Sequence, residues 1–406
     1  MTLALKNPDI LLFKYLWILV LCPKELQFVL LFGYTLLINT DRQYKFKYYP
    51  DTLFVLMLSY SAIHIISIII NVLLYDQEPV RIAAAINTAF IWGIAAFAYS
   101  YFKNHKVEIE KIYRFSFINL LILIGLACIS FIIFHILNMN KPNILGINLY
   151  GIDWFRNKPR MRFKGGMEYN NLVVILYVML LPFAAAFFNN KSKLNKNIFI
   201  LASLIPVYLC LSRSGYVIIG SAFFLVFIFC KDYKKKDYIM IGVIITAIAI
   251  LILLYGEKIE ELIFTLINSR AGSNNTRMQI YRESIVLTLM KSPIWGMGIK
   301  KISESGYPLG SHSTYIGVFY KTGIIGTLIF TGVLISIIRI LIKVHNKTTF
   351  QAEAIFLLML LLEFAVEDID GADWVIVLLF AIIGIIANRY KLTLNFNYTP
   401  IKPDKG

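Results

Sequence analysis

The chain has 406 residues, 58% of them hydrophobic and only 16% charged, with a formal net charge of +16 at pH 7. So few polar residues could not solvate the two or three soluble domains this length would otherwise allow, which leaves a lipid bilayer as the expected solvent. Cys22, Cys128, Cys210 and Cys230 lie in or beside apolar segments without the paired spacing of a metal or disulfide framework, and read as small apolar residues.

In chain order, apolar runs between polar breaks predict spans at 9–22, 25–39, 52–75, 80–102, 113–137, 169–188, 197–211, 214–230, 238–255, 314–340, 352–366 and 373–388. Runs such as 61–75 and 120–137 contain almost no charge and, with their flanks, reach the roughly 20 residues that cross a hydrocarbon core. The expected fold is an all-α polytopic membrane protein of about twelve transmembrane helices, one integral membrane domain over residues 1–406. The first span lacks a basic start and a small-residue cleavage site and is expected to be retained. Cys22-Pro23-Lys24-Glu25 reads as a hairpin tip. The two spans meeting near Ser212 are short, and a re-entrant pair would give the same pattern.

Alternate loops are basic: Arg42/Lys45/Lys47, Lys103/Lys106/Lys111, Lys191/Lys193/Lys196, Lys231/Lys234/Lys235/Lys236, Arg339/Lys343/Lys347 and the tail from Arg389. Lysine and arginine concentrate in cytoplasmic loops, so both termini are expected in the cytoplasm of a bacterial inner membrane. Two long loops, 138–168 and 256–313, then face outward, the second with short helices.

Both outward loops are nevertheless basic, through Lys141, Arg156, Lys158, Arg160, Arg162 and Lys164 in the first and Arg270, Arg277, Arg282, Lys291, Lys300 and Lys301 in the second. An exported basic surface suits an anionic partner, or, more plainly, anionic headgroups. Arg213, at a membrane boundary between two apolar spans, is a functional candidate or a snorkelling anchor. His312 is the one histidine in the outward loops and could accept a proton near neutrality, or merely cap a helix. His64 and His135 are expected as buried, satisfied side chains, and His105 and His345 as solvated. Tyr150, Trp154, Tyr169, Tyr281, Trp295, Tyr307 and Tyr315 could stack on sugars or form an interfacial belt. Glu363, Glu367, Asp368, Asp370 and Asp373 near the last outward turn read as counter-charge to the basic loops or as lining of a groove, ahead of a cation site. Gly296-Met297-Gly298 follows no strand and lacks the third glycine of a nucleotide fingerprint.

The order of motifs carries more. Arg277 precedes a helical stretch to Met290, Pro293-x-x-Gly296-x-Gly298 follows, and His312-x-x-Tyr315 opens a span that continues through Gly323-Ile324-Ile325-Gly326. Upstream stand Leu211-Ser212-Arg213-Ser214-Gly215, and Arg162-x-x-Gly165 before Asn170-Asn171. This arrangement resembles the O-antigen ligase and Wzy-type polymerase superfamily of bacterial surface polysaccharides, with Asn170-Asn171 where that family usually has Pro-Asn. Residues 1–150 resemble it only in being hydrophobic.

The resemblance implies an enzyme that joins a glycan carried on polyprenyl diphosphate to an acceptor hydroxyl, with no cofactor, no nucleotide and no necessary metal. His312 and Arg277 would be catalytic. Arg213, Arg277, Arg162, Arg160 and Arg282 would hold the diphosphate, because a planar guanidinium makes bidentate, charge-assisted contacts to phosphate. Tyr315, Asn171 and Trp295 would meet the acceptor or its sugars. The implied partners are the polyprenyl-diphosphate-linked oligosaccharide, the bilayer, a chain-length regulator and a flippase, with no nucleic acid. A polymerase is the preferred reading, because the first outward loop is long and basic enough for a second carrier. A ligase acting on lipid A core and a lipid-linked oligosaccharide flippase are the alternatives. The flippase is disfavoured by spans that read as apolar at their centres and by the lack of an internal repeat.

Overall fold

The structure is a computed structural model and describes residues 8–40, 51–105, 107–139, 143–144, 147–155, 158–189, 191–230, 246, 271–347 and 350–396. The expected span 238–255 therefore lies outside the described residues, apart from Thr246, as do Arg156 and Arg270. Helices α1 (Pro8–Lys14), α2 (Leu16–Leu21) and α3 (Lys24–Thr40) come first, followed by α4 (Thr52–Leu74), α5 (Pro79–Asn104) and α6 (Ile109–His135). After an outward loop come α7 (Asn171–Ala186), α8 (Lys193–Leu209), α9 (Arg213–Phe229) and α10 (Ala271–Lys291), then α11 (Thr314–Lys347), α12 (Gln351–Glu363) and α13 (Asp373–Phe396). Helix lies on eleven of the twelve expected spans, and five helices, α4, α5, α6, α11 and α13, are long and apolar enough to cross a membrane.

Sequence explains the placement of several helix ends. Asp51 accepts the Phe54 amide at 2.9 Å and starts α4, Pro79 occupies the first turn of α5, and Ser212 accepts the Gly215 amide at 3.1 Å to start α9. Helices apolar on every side belong inside the bundle. α7 is buried from Asn171 to Ala184, and α13 is buried over most of its apolar length. α5 and α13 approach closely where a Cβ on Gly384 would lie 2.6 Å from the Tyr99 carbonyl oxygen.

The fold is mostly rather than wholly α-helical: the first outward loop folds into the hairpins β1 (Asn143–Ile144)/β2 (Ile147–Asn148) and β3 (Tyr150–Phe155)/β4 (Lys158–Phe163). The period-two alternation of residues 158–163 accounts for this. Tyr150, Met161 and Phe163 are buried on one face, while Arg160 opposite Asp153 and Arg162 opposite Gly151 share the other. Within the second outward loop, α10 is one continuous 21-residue helix.

The main irregularity lies in α11, which breaks at Gly323 (φ 60°, ψ −157°). The Pro293–Gly298 turn fills the break. Met297 and Gly298 donate to the Tyr320 and Lys321 carbonyls at 2.7 and 2.9 Å, and the Ile324 and Ile325 amides donate to Pro293 and Ile294 at 2.9 and 3.3 Å. Irregular backbone at membrane depth persists only where protein satisfies it in this way. A Cβ on Gly323 would collide with the Ile294 carbonyl oxygen, in a backbone region that only glycine occupies readily. We predict that Gly323→Ala destabilises the protein by about 1–3 kcal/mol, seen as a lowered Tm in detergent. Gly33→Ala, whose Cβ meets nothing within 4 Å, serves as the control and leaves Tm unchanged or slightly raised.

Candidate active site

At one end of the bundle the turns converge on a cavity of ≈ 1020 Å³. Each connection expected to face outward contributes to its wall: Lys24, Arg81 just past the α4–α5 turn, Arg162, the Ser212 turn, the segment from Asn274 to His312, and Glu367 to Asp370. Among the described residues, none from the basic loops assigned to the cytoplasm reaches it.

α10 organises one side. Arg277, Tyr281, Ser284 and Thr288 recur at helical spacing and form one stripe. Arg277 donates to the Val366 carbonyl at 3.1 Å and to Glu367 at 3.2 Å. The Tyr281 hydroxyl donates to the His312 carbonyl at 2.6 Å, and Ser284 accepts the Gly310 amide at 2.8 Å. These two bonds hold His312 at φ 63°, an uncommon conformation for a residue with a side chain. The imidazole faces the cavity, with its ring 5.9 Å from that of Tyr307. Burial, then the Arg277 charge, pushes its pKa below the ordinary histidine value, which favours the neutral ring.

Arg213, the first residue of α9, also lines the cavity rather than snorkelling into lipid, and donates to Asn274 at 3.2 Å. Arg162 enters the wall from the root of its hairpin. Asn171 belongs to the wall and donates to Glu367, while Asn170 donates to the Cys210 carbonyl at 2.9 Å, tying the start of α7 to the end of α8.

The acidic turn after α12 supplies counter-charge, as its sequence suggests. Glu367 pairs with Arg277, Asp368 with Lys300 and Asp370 with Lys321. Burial raises the Glu367 pKa despite Arg277. Burial also acts to raise Asp368, but Lys300 and Lys321 outweigh it and hold that carboxyl below its usual range. Asp370 accepts from the Trp92 indole at 3.1 Å, Asp373 from Asn87 at 2.9 Å, and Glu363 from the Ser214 hydroxyl at 2.8 Å.

Other expected residues fall elsewhere. Arg160 shares the Arg162 face but lies nearer the hairpin tip, exposed and off the wall; Arg282 is exposed because it points away from the α10 stripe. Tyr315 is off the wall, its hydroxyl donating to the Leu361 carbonyl at 2.5 Å. Trp295 is also off the wall, and its carbonyl accepts from Ser67 at 2.5 Å. Of the aromatics, Tyr169 and Tyr307 line the cavity. His64 is buried as expected, with Nε2 3.2 Å from the Gly298 carbonyl oxygen, yet it lines the cavity floor. His135 is exposed, packed on Phe131 at the rim of α6, because that face carries the exposed Phe131 and Ile132. His105 is only part-exposed, stacked on Tyr101.

The sequence reading missed Lys24, Arg81, Lys300 and Lys321. A lysine inside an otherwise apolar span was the available signal for Lys321; the other three are ordinary loop and helix-end cations until the fold brings them together.

The geometry is that of a multi-pass membrane protein with a cationic cavity where its helices end. Residues 198–331, about a third of the chain, match the O-antigen ligase family. That stretch contains Arg213, Arg277, the Pro293–Gly298 turn, His312 and Gly323, so the match bears out the resemblance seen in the motifs. It aligns this stretch with glycosyl-transferring membrane enzymes of the ligase and polymerase kind. No curated protein matches the chain.

The Lys321–Asp370 pair has side chains 2% and 1% exposed, so removing one partner strands a buried charge. We predict a loss of about 3–5 kcal/mol for Lys321→Met, with most of it recovered in Lys321→Met/Asp370→Leu, measured by thermal unfolding in detergent.

Proposed function

We propose that the protein is a polymerase of a surface polysaccharide, acting on the outer face of the inner membrane. It transfers a glycan from polyprenyl diphosphate to a sugar hydroxyl of another lipid-linked repeat unit. The observation that carries this reading is the gathering of Arg162, Arg213, Arg277 and His312, drawn from separate parts of the chain, around one cavity. The family match over 198–331 supports the reaction class.

In this reading the arginines grip the donor diphosphate and stabilise the charge that develops as it leaves. The acceptor oxygen attacks the anomeric carbon, the bond from that carbon to the diphosphate oxygen breaks, and the electron pair departs with the diphosphate. His312 takes the hydroxyl proton. Its suppressed pKa suits the task, because the base must be neutral to accept a proton. Attack opposite the leaving group inverts the anomeric centre. The hairpin root that carries Arg162 into the wall supports a role for the first outward loop in substrate binding, hence the polymerase form. The match to the O-antigen ligase family favours lipid A core as the alternative acceptor.

The test is reconstitution of the purified full chain with one defined polyprenyl-diphosphate repeat unit and no nucleotide. A product ladder is expected for wild type. His312→Ala and Arg277→Ala should reduce it by at least about a hundredfold, within the range that general-base and charge-stabilising groups contribute. Arg282→Ala should stay within about twofold, since that side chain is exposed and off the wall. Transfer only to added lipid A core would replace the polymerase with the ligase, and loss of neither activity in the two variants would overturn the residue roles.

The pH profile gives an independent check. Burial and Arg277 disfavour the imidazolium, so His312 stays a competent base as pH falls through the ordinary histidine value of about 6.5. We predict an acidic limb of kcat/KM below that value; a limb above it would mean that His312 titrates as a stabilised cation.

A further inference from the structure

The cavity wall carries more positive charge than a donor diphosphate requires, and the charge falls into two lobes. In the first, Arg162 and Arg213 line the wall with Arg277, which pairs with Glu367. The second gathers around Asp368 and Asp370: Lys300 and Lys321 pair with them, Lys24 acts on Asp368, and Arg81 donates to the Lys300 carbonyl. Lys300 and Lys321 are each engaged by one of those carboxylates. That leaves Lys24 and Arg81 as the surplus of the second lobe.

Neither is firmly committed. Arg81 donates one N–H to the Lys300 carbonyl at 3.0 Å, and its ion pair is with Glu78, whose side chain is 76% exposed. A solvent-exposed pair of this kind is worth little and exchanges readily. The charge of Lys24 acts on Glu168, Asp368 and Asp373, but none of the three is at ion-pair distance from it among the described residues.

His312 lies between the lobes, since its charged neighbours include Arg277 of the first and Lys300 with Asp368 of the second. A donor diphosphate on the arginine lobe therefore leaves the second lobe beside the acceptor hydroxyl. The turn from Glu367 to Asp370 runs from Arg277 to Lys321, so one polyanion spanning both lobes would press against Asp368.

We propose that Lys24 and Arg81 form a second anion subsite that binds a carboxylate carried by the acceptor sugar, making the enzyme selective for a uronate-type acceptor. The charges favour a carboxylate over a diphosphate. Two loosely held cations, one of them a guanidinium fork, match a single carboxylate. The arginine lobe, with three guanidinium forks, suits the more highly charged leaving group. This inference rests on the glycosyl-transfer reading for the identity of the acceptor, though not for the existence of the subsite.

Two measurements separate the claims. The first titrates the full chain in detergent with methyl β-glucuronide and, as neutral probe, methyl β-glucoside. The glucuronide should bind at least about tenfold more tightly, the gain of one charge-assisted contact. Arg81→Gln and Lys24→Gln should each bring that ratio to within about threefold. Equal binding of the two probes would overturn the subsite. So would a preference that survives both variants but vanishes in Arg277→Gln, since the anion would then occupy the arginine lobe. Inorganic phosphate that binds more tightly than the glucuronide and depends on Arg81 would replace the carboxylate with a phosphate-bearing group. The second measurement compares transfer to lipid-linked acceptors ending in a uronate or in the corresponding neutral hexose. Faster transfer to the uronate acceptor supports both claims. Transfer at equal rates sinks the subsite and leaves the enzyme. Glucuronide binding without transfer to either acceptor keeps the subsite and sinks the enzyme.

Discussion

Everything at the active end hangs on four backbone hydrogen bonds between the Pro293–Gly298 turn and the break in α11. A helix that opens inside an apolar bundle exposes carbonyls on one side of the gap and amides on the other, each costly to leave unmet. Here the turn serves both, accepting from Ile324 and Ile325 and donating to Tyr320 and Lys321. Glycine is required on both partners because the two backbones touch: a Cβ on Gly296 would meet the Gly323 amide, and one on Gly298 would lie 2.5 Å from the Ser67 carbonyl oxygen. Once the turn is seated, Lys300 and His312 on one side and Lys321 on the other are fixed relative to one another. The loop is outside the helices in sequence but inside them in structure.

A second constraint is the charge that this arrangement gathers. Seven lysines and arginines line the cavity against three carboxylates. Unopposed, cations at such separations would repel one another strongly in a half-buried site. The turn from Glu367 to Asp370 answers with one carboxylate for each of three of them, and two of these carboxylates are anchored from behind, Glu367 by Asn171 and Asp370 by Trp92. Those three cations are held in place and partly neutralised.

How much of this could be read in the sequence depends on the period of the signal. Apolar runs bounded by polar breaks announce helices directly, and loop charge orders them, so helix lies where eleven of the expected spans were placed. Arg277 and Arg282 both belong to the expected diphosphate-binding set, although the spacing from Arg277 to Tyr281, Ser284 and Thr288 marks one face of a helix that Arg282 does not share. Likewise the alternation Arg160, Arg162 against Met161, Phe163 is a strand signal inside the first outward loop. Lys24, Arg81 and Lys300 carried no local signal. Their role comes from convergence of distant turns, and pairwise distance across hundreds of residues is not written in any single window of sequence.

The same cations that would hold an anionic leaving group also govern the base. Burial first, and then the Arg277 charge, disfavours the imidazolium form of His312. Asp368 acts in the opposite direction, but it is committed to Lys300 and held ionised between Lys300 and Lys321, which limits its pull on His312. Were Asp368 to turn its carboxylate to the ring, as in a hydrolase triad, the histidine pKa would rise and its acid form would be favoured. The structure instead gives the carboxylates to the cations and leaves His312 in a positive field, the arrangement that the proposed reaction calls for, since its leaving group is an anion and needs no proton from the enzyme.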